Sequence, residues 1–157
     1  IESAPGQGTT VRLQLPRATA AAEDERTPLV SEPMVSGERL ALVLEDEADV
    51  RQTLCEQLHQ LGWMTLEAQS GEQALQMLAA SGDIALLISD LMLPGGLSGA
   101  EVIHEAQRRF PAVALLLISG QDLRPAHNPA LPEVERLRKP FTRTQLAQAL
   151  RAAMARI

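Results

Sequence analysis

Three stretches of this chain are apolar without interruption: "LALVL" at 40–44, "IALLIS" at 84–89 and "AVALLLIS" at 112–119. A strand with one face in water alternates polar and apolar residues. An unbroken apolar run of strand length therefore belongs in a sheet covered on both faces. The segments between the runs supply the cover. "ADVRQTLCEQLHQLG" places Val50, Leu54, Leu58 and Leu61 at helical spacing and stops at Gly62. "WMTLEA" is a weaker strand, and Ser70 followed by Gln73 reads as a capping box opening the helix "GEQALQMLAAS". "SGAEVIHEAQRRF" is a third helix, "VERLR" a short fifth strand, and "TRTQLAQALRAAMARI" a closing amphipathic helix. Pro125 and Pro129 argue against a long regular helix between 120 and 132. Five strands alternating with helices predict an α/β, doubly wound, five-stranded parallel sheet with right-handed crossovers.

Composition excludes several classes. The chain has 157 residues, 45% of them hydrophobic but only 2% aromatic, so its core must be aliphatic. A formal net charge of −6, scattered arginines, one Trp and two Phe suit neither a phosphate backbone nor base stacking, so no nucleic-acid partner is expected. The single cysteine, Cys55, excludes an internal disulfide framework and CxxC zinc sites, and its flanks make it a small core or boundary residue. No stretch approaches the ~20 apolar residues of a membrane span, and no signal-peptide pattern opens the chain. A cytoplasmic location without membrane contact is the expectation. The chain begins at Ile1, which reads as a fragment of something longer.

In open parallel sheets the working crevice lies where the strands end. The first strand ends in "EDE" (Glu45, Asp46, Glu47), the third in Asp90, the fourth in Ser119 and the fifth in Lys139-Pro140. Glu45, Asp46 and Asp90 on adjacent strands would repel, and a hard divalent cation with oxygen ligands, Mg²⁺, relieves that. Ser119 adds a hydroxyl and Lys139 an ammonium. Together with Mg²⁺ these groups can hold three phosphoryl oxygens around Asp90, whose carboxylate is then placed as a nucleophile. Lys139 is the only lysine in the chain, and a compact ammonium suits an acyl phosphate better than a planar fork. A cis peptide before Pro140 is one way to place it.

The ordered set "LALVLEDEADVR…LLISDLMLPGGLSGAEV…LLLISGQ…LRKPF" resembles the receiver domain of two-component response regulators, over 39–157. The resemblance implies the flavodoxin-like strand order 2-1-3-4-5 with a short or irregular fourth helix. It makes Asp90 the phosphoacceptor, with phosphohistidine as donor. It assigns Mg²⁺ to Asp46, Asp90 and the Met92 carbonyl, with Glu45 acting through water, and makes Ser119 the switch hydroxyl and Lys139 the phosphate-binding lysine. The chain departs from the family pattern at Glu45, where Asp is frequent, and at Arg136, where an aromatic switch residue is usual. It also carries an extra glycine in "PGGLSG".

The front end, "SAPGQGTTVRLQLP", is similar to the last glycine box and final strand of histidine-kinase ATP-binding domains, through Gly6, Gly8 and Thr9. The resulting order is a kinase remnant over 1–16, a linker over 17–38 rich in Ala, Glu, Pro and Ser, and a receiver over 39–157. That order is the tail of a hybrid sensor kinase. The implied partner is a histidine-kinase core in cis or a histidine phosphotransfer protein.

Other residues read more plainly. His104, in "IHEAQRR", is superficially similar to a kinase histidine box but sits on a surface helix; His59 and His127 show no metal-ligand spacing. Met64, Met77, Met92 and Met154 read as core or boundary fillers. Asp49 is helix N-terminal charge, and Glu47 is either that or a neighbour of the metal. A Mg²⁺-dependent phosphatase would carry a second Asp two residues after the nucleophile, and Met92 stands there. The remaining alternative is a receiver-like module that binds partners without phosphorylation.

Overall fold

A computed structural model describes residues 2–4, 8–10, 12, 39–120 and 133–157. The chain separates into two compact units, 1–34 and 35–157. In the first, β1 (Glu2–Ala4) pairs antiparallel with β2 (Gly8–Thr10), in the register Glu2↔Thr10. β2 thus falls on the glycine box itself, and its partner Glu2–Ala4 is too short to show a period in sequence; the final strand expected after the box lies, apart from Arg12, outside the described residues. Gly6 and the linker at 17–38 lie outside the described residues.

The second unit holds β3 (Arg39–Leu44), α1 (Ala48–Gln60), β4 (Trp63–Ala68), α2 (Gly71–Ala80), β5 (Ile84–Asp90), α3 (Gly99–Arg109), β6 (Ala114–Ser119), β7 (Glu135–Arg138) and α4 (Arg143–Met154). Its five strands are all parallel and lie in the order β4-β3-β5-β6-β7. Numbered within the sheet, that is 2-1-3-4-5, the flavodoxin-like order. The expectation of a short or irregular helix before β7 concerns 121–132, which lie outside the described residues, as does His127.

Two cores fill the two faces. Ala41, Val43, Leu86, Ile88, Leu116 and Ile118 pack under α1 and α4, while Leu42, Leu44, Leu87, Leu115 and Leu117 pack under α2 and α3. Residues two apart should share a face, yet Ile84 lies in the second core and Leu86 in the first. The register explains this: Leu40 pairs with Ile84 but Ala41 with Leu86, so Ala85 is an extra residue that flips the strand over.

On α1 the buried stripe is Arg51, Leu54, Cys55 and Leu58, with Val50 and Leu61 only partly covered. The helix is therefore rotated from the face that Val50, Leu54, Leu58 and Leu61 suggest, and a charged residue occupies the stripe. Cys55 is buried, as expected. Met64 on the edge strand β4 and Met92 after β5 are exposed rather than core fillers, whereas Met77 and Met154 are partly covered. Among the described residues no helix is long and apolar enough to cross a membrane.

Candidate functional site

The strand registers bring the site together before any side chain is considered. Leu44 pairs with Ser89, so Glu45, one residue on, stands level with Asp90 on the neighbouring strand. Asp90 pairs with Ile118, which puts Ser119 one step beyond, and Ser119 pairs with Arg138, which puts Lys139 one step beyond that. Backbone bonds fix these ends: the amides of Glu45, Leu91 and Lys139 donate to the carbonyls of Ala68, Ile118 and Ser119 at 3.2, 2.9 and 2.8 Å. The Lys139-Pro140 peptide is cis.

Lys139 then reaches back over β6. Its Nζ donates to Asp90 Oδ2 at 2.5 Å and to Glu45 Oε2 at 2.7 Å. At roughly 4.8 Å per strand, β7 and β5 are about 10 Å apart, a gap that a lysine and a carboxylate close between them. The second oxygen of Asp90, Oδ1, accepts from the Met92 amide at 3.0 Å. Both oxygens of the Asp90 carboxylate are thus held by donors, which fixes its orientation.

One ammonium shared by two carboxylates leaves a charge imbalance. Burial pushes the Glu45 carboxyl above its ordinary value and the charge of Asp90 adds to that; the Lys139 hydrogen bond opposes both without cancelling them. Burial works against the Lys139 ammonium, but its hydrogen bonds to Asp90 and Glu45 outweigh this and hold it above its usual value. Asp46 is exposed next to Glu45, so the same end of the sheet carries a third carboxylate.

Of the expected set, the structure brings Glu45, Asp90 and Lys139 into direct contact. Ser119 is buried at the end of β6. The Asp46 side chain and Met92 face outward beside them. Glu47 is the N-cap of α1 and Asp49 lies in its first turn. His59 and His104 are exposed.

Among the described residues no group of three or more His, Cys, Asp or Glu side chains forms a ready-made metal cluster. The donor chemistry nonetheless fits Mg²⁺, which needs only one or two protein carboxylates and fills its other positions with water and substrate oxygens. Asp46 and Asp90 offer hard oxygens at one end of the sheet, and two carboxylates there, Glu45 and Asp90, share one ammonium.

Sequence reasoning missed two supports of the site. Gly99 opens α3 so close to β5 that a Cβ there would collide with the Asp90 carbonyl oxygen. The second is Arg51, buried in α1, whose Nη1 donates to the carbonyls of Glu45 and Asp46 at 2.8 and 3.3 Å. Its signal was present as an arginine at the head of the i, i+3, i+4, i+7 stripe Arg51, Leu54, Cys55, Leu58.

Comparison with known proteins identifies the family of the second unit. A family model of the response regulator receiver domain matches residues 41–151, more than half of the chain. The sensor kinase CckA of Brucella abortus is 28% identical over 162 aligned residues, covering 96% of this chain and 17% of the kinase. The phosphate regulon transcriptional regulatory protein PhoB of Escherichia coli is 32% identical over 123 residues, covering 76% of this chain and 53% of PhoB. The chain thus spans about half of PhoB and under a fifth of CckA. Among solved structures, a receiver domain protein from Clostridium thermocellum superposes with a TM-score of 0.66 at 27% identity, over 75% of this chain and 95% of that one. The response regulator TrrA from Thermotoga maritima, in complex with Mg²⁺-BeF, superposes with a TM-score of 0.66 at 25% identity, over 73% of this chain and 98% of its own. The chain belongs to the response regulator receiver domain family, the phosphoacceptor domains of two-component systems.

Proposed function

We propose that Asp90 is the residue that accepts the phosphoryl group, from a phosphohistidine, in a phosphorelay. The observation that carries this is the double hold on its carboxylate, by the Lys139 ammonium and the Met92 amide. An Asp90 oxygen attacks phosphorus and a P–O bond forms. The P–N bond of the phosphohistidine breaks, and its electron pair returns to the imidazole nitrogen, which takes up a proton. The product is a mixed anhydride, an aspartyl phosphate. Phosphoryl transfer asks a protein mainly for positioning and charge neutralisation, and both are supplied at the strand ends. Lys139, already pointed at Asp90, accompanies the transferred oxygens, and Ser119 offers its hydroxyl to another as the switch residue.

Receiver domains bind Mg²⁺. In this chain Asp46, Asp90 and the Met92 carbonyl would ligate it, with Glu45 acting through water. When bound, the ion neutralises phosphoryl oxygens and the surplus negative charge of the carboxylates.

The surrounding protein is proposed to be a hybrid sensor kinase, located in the cytoplasm or anchored with this part facing it. An alignment with CckA covering 96% of the chain must extend well before residue 39, whereas that with PhoB is close to the receiver in size. The assignment of 1–16 to the end of a kinase ATP-binding domain and of 17–38 to a linker belongs to the same proposal. The partner is then a kinase core in cis or a histidine phosphotransfer protein.

The test is chemical. A histidine phosphotransfer protein carrying labelled phosphohistidine is mixed with this chain, and the transferred label is treated with hydroxylamine. Label that moves to the chain and is released by hydroxylamine is an acyl phosphate, and borohydride reduction should then locate it at residue 90. Label that withstands hydroxylamine, or reduction at another residue, contradicts the assignment.

A further inference from the structure

Arg51 has no part in the steps above, yet it is a charged residue only 7% exposed. Removing a guanidinium from water is costly unless its donors are matched. Here three bonds engage Nε and Nη1: Nε to Glu67 Oε2 at 2.9 Å, and Nη1 to the carbonyls of Glu45 and Asp46 at 2.8 and 3.3 Å. Only Glu67 is a charge partner. The other two acceptors are the backbone oxygens of the two consecutive residues whose side chains belong to the site.

The position of those carbonyls has a consequence. In a trans peptide the C=O and the following N–H point in opposite directions. Two carbonyls turned toward Arg51 therefore turn the amides of Asp46 and Glu47 the other way. The Glu47 amide accordingly faces Glu45 Oε1, at 3.5 Å. Arg51 thus sets the orientation of both peptide units from which the acidic side chains project.

A second observation is independent of the first. α2, α3 and α4 each begin with a side-chain cap, from Ser70, Ser98 and Thr142, bonded to the backbone three residues on. α1 does not: its N-cap, Glu47, makes no side-chain capping bond. The turn between β3 and α1 lacks the usual tie, and Arg51, one turn into the helix, reaches back to supply it. Glu67, exposed on the edge strand β4, holds the guanidinium through Nε.

We propose that Arg51, anchored by Glu67, is a positioning residue for the Mg²⁺ and phosphoryl site, acting by clamping the Glu45-Asp46 backbone. The inference rests on the site reading given above. Groups that orient a metal site from behind its ligands typically change metal affinity 10–100-fold when removed.

The experiment is calorimetric titration of Mg²⁺ into the wild type, Arg51→Gln, Arg51→Lys and Glu67→Gln, with circular dichroism melts to confirm folding. Amide hydrogen exchange at residues 45–48 is measured in parallel. Arg51→Gln should weaken Mg²⁺ binding by about 10–100-fold and speed exchange of the Asp46 and Glu47 amides. Arg51→Lys should recover part of the affinity, because one ammonium lacks the fork that serves both carbonyls and Glu67. Glu67→Gln, at an exposed position, should fold even if Arg51→Gln does not, and should show a smaller loss of the same kind. Folded variants that bind Mg²⁺ within about twofold of wild type, whatever their melting temperatures, would leave Arg51 a purely structural residue and overturn the proposal. Wild-type protein that binds no Mg²⁺ would instead overturn the site reading, and this inference with it.

Discussion

Lys139 shows how much one residue decides here. Its ammonium touches both Glu45 and Asp90, and only a compact point charge on a flexible stem fits between two carboxylates and leaves room for a phosphoryl group. Lys139→Arg should therefore keep the charge and still slow phosphorylation of the chain at least tenfold, measured with a small acyl-phosphate donor. A wild-type rate in that variant would show that charge alone suffices. Cys55 makes the opposite point, since its burial removes reactivity. Burial pushes its thiol above the ordinary value and Glu67 adds to this, while a bond from Thr65 and the charge of Arg51 work the other way without prevailing. In the unfolded chain the thiol ionises at its lower, ordinary value, so the contribution of Cys55 to stability is intact below that and is lost as pH rises through the folded value. At pH 8 iodoacetamide should label it at least tenfold more slowly in native protein than in urea, because the thiolate is scarce and covered; comparable rates would contradict the buried placement. Asp90 was legible in the sequence because it follows an apolar run, and Lys139 because it is the only lysine and stands before Pro140 at a strand end. Arg51 and Glu67 were not, because one sits in a helix and the other on an edge strand, and only the fold makes them neighbours.

At the scale of elements, the site depends on how tightly α3 is seated against β5. A Cβ at Gly99 would collide with the backbone of Asp90 itself, whereas at Gly82, between α2 and β5, it would meet nothing within 4 Å. Gly99→Ala should cost about 1–3 kcal/mol, as overpacking does, and should also slow phosphorylation by shifting the Asp90 backbone. Gly82→Ala should be neutral or stabilise by up to about 1 kcal/mol through the unfolded state. Urea denaturation of the two variants makes the comparison, and equal stabilities would refute the close approach. The loop that joins β5 to α3 is tied down elsewhere too. Glu72 Oε1 accepts from the Leu97 amide at 3.2 Å, and Gly95 and Gly96 both take positive φ angles of 66° and 65°. The extra glycine there is visible in the sequence, but not the glutamate on another helix that holds the loop. The same limit applies to helix starts. Ser70 does cap α2 through the Gln73 amide, yet the Gln73 side chain accepts from Gln69 rather than returning to Ser70. The reciprocal boxes are those of Ser98 with Glu101 and Thr142 with Gln145.

Across the whole molecule, apolar runs covered on both faces led to a parallel sheet, and the parallel sheet placed the strand ends together; that chain of reasoning needed only hydropathy and strand length. It could not supply the extra residue at Ala85, because a one-residue register shift leaves an apolar run looking the same. Nor could it supply the rotation of α1, where an arginine lies among leucines. Among the described residues, both cores of the second unit are drawn from between 40 and 154. A fragment of 39–157 should therefore melt within a few degrees of the full chain and accept phosphoryl groups at the same rate. A fragment that does not fold would mean that the first unit contributes to the core. The most direct test of Asp90 as acceptor is intact mass after incubation with acetyl phosphate and Mg²⁺, beside Asp90→Ala. A gain of one phosphoryl group in the wild type, absent from the variant, is the expected result. No gain in folded wild-type protein, or an equal gain in both, would contradict it.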